Sequence, residues 1–204
     1  MRAPAYSRSV FVNCPFDRGY KPIFTSIVFT VYHSGLVPRC ALELDDAAEF
    51  RLDKIFRIVR ECRYGIHDIS HTQPDPDLLP RFNMPMELGV FLSCKRFGGR
   101  LQTKKACLIL DQEPYRYQKF ISDLAGQDIH AHQNDPRMAM SVVRSWLRTA
   151  SSRATIPGGD EIWRRYSIFR QDLPEICRNM KIGLEELTFV DLVTAIRIWL
   201  RGNP

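Results

Sequence analysis

The sequence predicts an α/β fold: a flavodoxin-like open parallel sheet of five strands in the order 2-1-3-4-5, helices on both faces, and further helices at the C-terminus. Three observations predict it. Short β-rich runs alternate with segments of helical apolar spacing along residues 9–150. The run Ala106-Cys107-Leu108-Ile109-Leu110 is apolar without interruption, as in a strand covered on both faces, and is expected at the sheet's centre. Pro38 lies inside the second β-rich run; without an N–H it confines that strand to a sheet edge.

Taken in order, Ser9-Val10-Phe11-Val12-Asn13 is the first strand and stops at the turn-forming Cys14-Pro15-Phe16-Asp17. Ile23, Phe24, Ile27, Val28 and Val31 then recur at helical spacing until Ser34-Gly35. Residues 36–42 form the edge strand. Leu52, Ile55, Phe56 and Val59 define the apolar stripe of a second helix, with charged residues opposite. Tyr64–Ile69 is the third strand, and a Pro- and Asp-rich loop from Thr72 to Pro80 leads to a helix over Met84–Arg96. After the Gly98-Gly99 loop comes the fourth strand, then a helix from Tyr117 to Leu124, a short strand over Ile129–His132, and a helix from Arg137 to Arg148. The Ser-, Pro- and Gly-rich stretch 151–159 reads as a linker. It divides an α/β domain, 1–150, from a helical appendage, 151–204, with helices over Asp160–Arg170, Leu173–Met180 and Phe189–Arg201. Thr188 with Asp191 forms the N-terminal cap of the last one, whose Ile196, Trp199 and Leu200 are expected to dock on the main core.

Apolar residues make up 45% of the chain and charged residues 25%, which argues against a disordered or fibrous protein. The net charge of +6 is spread among many acids, without a long basic run, so the composition argues against a nucleic-acid partner. The densest basic stretch, Lys95 to Lys105, reads as a solvated loop, with a phosphate-steering patch as the alternative. None of the six cysteines forms a Cys-x-x-Cys, and most lie in apolar periodic segments, as reduced buried thiols do. No segment has the apolar core of a signal peptide or the roughly 20 apolar residues of a membrane span, so a cytoplasmic protein is expected.

In an open parallel sheet, ligands bind beyond the carboxyl ends of the strands. Those ends are the loops at Cys14–Asp17, Glu43–Glu49, Asp68–Pro80 and Asp111–Tyr115. The segment Asn83-Met84-Pro85-Met86-Glu87-Leu88-Gly89 opens a helix there, with Asn83 as the expected N-cap and Glu87 in the first turn between apolar neighbours. Glu87 is the leading candidate catalytic group. Asp68 ends the third strand and, with Asn83, is expected to converge on it. Tyr115-Arg116-Tyr117 offers either a base-stacking, phosphate-gripping loop or plain aromatic packing. His67, His71, His130 and His132 match no common zinc spacing, and no metal or cofactor is expected.

These residues carry a resemblance. The chain resembles the superfamily that joins TIR (Toll/interleukin-receptor) domains with nucleoside deoxyribosyltransferases and related nucleotide glycosidases, over roughly residues 9–150. Its carriers are Phe11-Val12-Asn13-Cys14-Pro15-Phe16, His67-Asp68-Ile69-Ser70 and Asn83 through Gly89. An Asn-x-x-x-Glu-Leu-Gly block supplies the catalytic glutamate in such proteins. The resemblance implies that Glu87 acts on the sugar of a nucleoside, nucleotide or NAD, and that Asp68 acts beside it. It implies that Asn13, Cys14, Phe16, Asn83, Met84 and Tyr115 line the substrate site. The Asp-Gly-Thr run that typically precedes the transferase glutamate is missing, so hydrolysis of the base–ribose bond is expected rather than transfer. It further implies a bacterial antiviral defence effector, with a second copy or a defence-system protein as partner. The alternative is a non-catalytic nucleotide-sensing or TIR-like assembly module using the same crevice.

Overall fold

A computed structural model describes residues 5–43, 45–72 and 81–204. The strands are β1 (Ser9–Asn13), β2 (Val37–Arg39), β3 (Tyr64–Asp68), β4 (Ala106–Asp111) and β5 (Ile129–Ala131). All pairings are parallel, in the order β2-β1-β3-β4-β5, as the sequence predicts. Pro38 is in the edge strand, opposite Val10. The central strand is β3 rather than β4. Both are flanked on each side, so an unbroken apolar run does not distinguish the middle strand from its neighbour.

The helices are α1 (Lys21–His33), α2 (Arg51–Glu61), α3 (Asn83–Phe97), α4 (Pro136–Ala150), α5 (Gly159–Met180) and α6 (Phe189–Gly202). Alternation of side chains along the strands assigns the faces. Val10, Val12, Tyr64, Ile66, Leu108 and Leu110 turn toward α1 and α4, in one core that also takes in α5 and α6. Phe11 turns the other way, onto α2 and α3 through Ile55, Ile58, Val59 and Phe91. The buried stripe of α2 is therefore Ile55, Ile58 and Val59, whereas Leu52 and Phe56, expected inside, are exposed.

The C-terminal helices join the main core, as expected. Phe29 of α1 packs against Tyr166, Phe169 and Trp199, and the Thr188–Asp191 capping box opens α6. Two helices expected over 160–180 are one, α5, which runs through Pro174. Tyr166 and Phe169 before the proline and Cys177 after it are all buried, and this shared packing offsets the lost backbone bond. The helix expected over Tyr117–Leu124 is instead two 3-10 turns, Arg116–Lys119 and Ser122–Leu124, entered through Tyr115 in left-handed backbone. No helix among the described residues is long and apolar enough to cross a membrane.

Candidate functional site

The carboxyl ends of the parallel strands β1, β3 and β4 lie at one edge of the sheet, where a ligand crevice is expected, and Asn13 at the end of β1 bonds to the first turn of α3 there. The Thr72–Pro80 loop expected there lies outside the described residues beyond position 72. Helix α3 buries Met84, Glu87, Leu88 and Phe91, which are spaced i, i+3, i+4 and i+7. Glu87 thus occupies a position in the apolar stripe, 6% exposed. Among the described residues no group hydrogen-bonds to its carboxylate. Burial raises its pKa to about 7, with Arg51 at the head of α2 opposing the rise. Two expectations are corrected. Asn83 is the first helical residue and exposed, and Phe82 is the N-cap, with no side-chain cap bond. Glu87 consequently falls in the second turn, where orientation against the sheet rather than the helix terminus determines its surroundings.

Asn13 fixes that orientation. Its Nδ2 donates to the Met84 carbonyl at 2.9 Å and lies 3.1 Å from His67 Nδ1, joining the end of β1 to the first turn of α3. His67 is fully buried between Phe11 and Phe91, and burial, reinforced by nearby Lys105, lowers its pKa to about 3. It is a neutral packing residue whose Nδ1 accepts from Asn13.

Asp68 turns to the opposite face of the sheet. Tyr20 Oη donates to its Oδ2 at 2.5 Å, and the Ser70 N–H donates to Oδ1 at 2.8 Å. His132 Nδ1 accepts from the Asn134 N–H at 3.0 Å, which puts the ring proton on Nε2, 2.9 Å from Asp68 Oδ2. Asp68 and His132 are fully buried and Tyr20 nearly so. The side-chain convergence expected of Asp68, Asn83 and Glu87 is therefore not formed by direct contact. Cys14, directly after β1, is 1% exposed. Burial pushes its thiol well up, and Asp68 and Glu87 are among the charges that push it further.

The loop after β3 is held by Arg116. Its guanidinium donates to Asp111 Oδ1, to the Ile69 and Ser70 carbonyls at 2.9 and 2.7 Å, and to Thr72 Oγ1 at 3.1 Å. His71 and Asp17 meet at 3.0 Å and tie this loop to the one after β1. Phe16 is partly exposed and edge-on to Phe24, Met84 is buried under the helix start, and Tyr115 is exposed at the rim. Tyr20 and the clamping role of Arg116 escape the sequence reading. The usable signal for Tyr20 is an aromatic at a loop-to-helix junction on the carboxyl side of the sheet. No group of His, Cys, Asp and Glu among the described residues could hold a metal ion.

A cavity of about 960 Å³ lies between β2 and α6, lined by none of Asn13, Asp68 and Glu87. Comparison of the chain with family models, with curated proteins and with solved structures returned no match.

Proposed function

We propose that the chain hydrolyses the bond between base and ribose in NAD or a related nucleotide, with Glu87 as the catalytic carboxylate. One observation carries the reading: an acid occupies the sheet-facing stripe of α3 at the carboxyl edge of the sheet, its pKa raised to about 7 by burial. A structural acid at a helix start needs no such burial, whereas a carboxylate meant for developing positive charge gains from a water-poor wall.

Departure of the base leaves an oxocarbenium-like sugar carbon. In this reading the ionised Glu87 stabilises that cation or captures it as a glycosyl ester, which water then opens. Nicotinamide of NAD leaves as a neutral base and needs no proton donor. Asn13 keeps Glu87 aimed by holding the first turn of α3, and Tyr115 supplies an exposed ring for the base. Asp68, locked by Tyr20 and the Ser70 N–H, acts by fixing the loop over the crevice. Antiviral defence and a partner that triggers turnover remain part of this proposal through the resemblance to TIR-like proteins.

A second reading rests on the same network. Because Asp68 is already satisfied and Asn83 is exposed, the crevice also suits a module that binds a nucleotide without cleaving it. Incubation with NAD and a panel of nucleosides and nucleotides, followed by chromatography of free base, separates the two. Base release that disappears in Glu87→Gln supports hydrolysis; binding without release supports the module.

A further inference from the structure

We propose that the groove between β2 and α6 docks a short segment of a partner protein that is aliphatic at one end and acidic at the other. Folding of α6 requires one buried stripe, and Phe189, Leu192, Ala195, Ile196 and Trp199 supply it. A second stripe, Val190, Val193, Arg197, Leu200 and Arg201, lines the groove instead and does not belong to the fully buried set. Its spacing of i, i+3, i+7, i+10 and i+11 keeps all five on one side of the helix.

The charges in the groove are unequal. Arg39 is neutralised by Glu43 at 2.5 Å and Glu61 at 3.2 Å, and Arg57 pairs with Glu49 at 2.7 Å. Among the described residues, Arg8, Arg197 and Arg201 have no carboxylate within ion-pair distance. Arg8 donates to the Gly35 carbonyl at 3.1 Å, the Gly35 N–H donates to the Tyr32 carbonyl at 2.9 Å, and Arg197 acts on the Tyr32 hydroxyl through its charge. Along α6 the cations Arg197 and Arg201 come after the aliphatic Val190 and Val193, so charge and apolar wall lie toward opposite ends of the helix, and Arg8 adds a cation beside the turn before β2.

Length and lining select the occupant. From Phe189 to Arg201 the groove follows α6 for about 18 Å at 1.5 Å per residue, the span of five or six extended residues. Its walls combine aliphatic side chains with charged ones, and of its two aromatic residues Phe189 is buried and Tyr32 half-buried, which leaves little ring face for a nucleotide base. A second copy of a chain with net charge +6 is a poor match for surplus arginines. Pro38 on the edge strand removes a ladder donor, so recognition rests on side chains rather than on strand addition.

The test uses fluorescence anisotropy with two labelled hexapeptides, one of three leucines followed by three glutamates and one in the reverse order. At least one should bind the full chain with a Kd on the order of 10–100 μM, weakening as salt rises. A peptide with lysines for glutamates should not bind. Replacing Arg197 and Arg201 together by glutamate should weaken binding about tenfold or more, as should Arg8→Glu, which perturbs a different element. Val193→Asp should remove the aliphatic half of the interaction, with the thermal midpoint of each variant checking the fold. The proposal is overturned if neither peptide binds at 1 mM, if hexaglutamate binds as well as either, or if the charge reversals leave affinity unchanged. ATP binding in place of the peptides would make the occupant a nucleotide. Self-association abolished by the reversals would make it a second copy.

Discussion

Glu87 is costly where it stands, and the cost has a definite pH dependence. Burial holds its folded pKa near 7, above the ordinary 4.5. The folded state therefore keeps the proton more tightly than the unfolded chain, and the stability this gives is full below about pH 4.5 and lost as pH climbs through about 7. Glutamine cannot ionise. Glu87→Gln should match the parent at pH 4.5 and exceed it at pH 8 by on the order of 2 kcal/mol, a rise of roughly 4–8 °C in melting temperature. Calorimetry at the two pH values checks this, and a variant less stable at pH 8 would contradict the burial cost. Activity should move the other way. Base release by the parent should rise with pH through about 7 as the carboxylate forms, and Glu87→Gln should lose on the order of a thousandfold or more. A variant retaining a tenth of the parental rate would remove Glu87 from the chemistry. The residue itself is conspicuous in the sequence. Its depth is not, because Asn83 reads as a cap and pulls Glu87 toward the helix terminus, while the structure starts α3 at Asn83 and turns Glu87 inward.

At the scale of the elements, β3 carries the site's geometry, and Gly65 determines how closely α3 can approach it. A Cβ there would lie 2.7 Å from His67 Nε2 and 2.8 Å from two ring carbons of Phe91. Gly65→Ala should cost about 1–3 kcal/mol and loosen the His67–Asn13 contact, read by urea unfolding and by reduced base release. Unchanged stability would show that His67 and Phe91 yield without strain. Strands and most helices are legible because their periodicity is local: Ser9–Asn13 and the Thr188 cap agree with the structure residue by residue, whereas Pro174 splits the reading of α5. What failed depends on partners distant in sequence. Arg116 reaches back to residues 69–72, and the segment after Tyr115 forms 3-10 turns around that clamp instead of a helix. Alternation along β3 puts Asp68 on the face of Tyr64 and Ile66, where it meets Tyr20 and His132, both distant in sequence, instead of Glu87.

Over the whole molecule, the helices beyond residue 158 complete the core on the α1–α4 face. Trp199 lies 5.8 Å from Phe29 and 5.9 Å from Phe169, and its indole N–H donates to Asp172 at 2.7 Å. Trp199→Ala should cost about 3–5 kcal/mol, and a chain ending at residue 158 should aggregate or melt far earlier, since it exposes Phe29 and its neighbours. An unchanged midpoint on truncation would mark the tail as independent. Cys14 offers a way to watch the assembled molecule breathe. A sulfur this deep, its thiol pushed well up by burial, can be alkylated only while the strand ends and α1 part, so its labelling clocks that parting. With a small thiol reagent and peptide mapping, partly accessible Cys94 should react promptly and Cys14 orders of magnitude later. A nucleotide seated in the crevice should slow the Cys14 clock further while leaving Cys94 untouched. Equal labelling rates for the two would mean that the crevice floor opens as freely as the surface, and a floor that loose could not keep Glu87 dry.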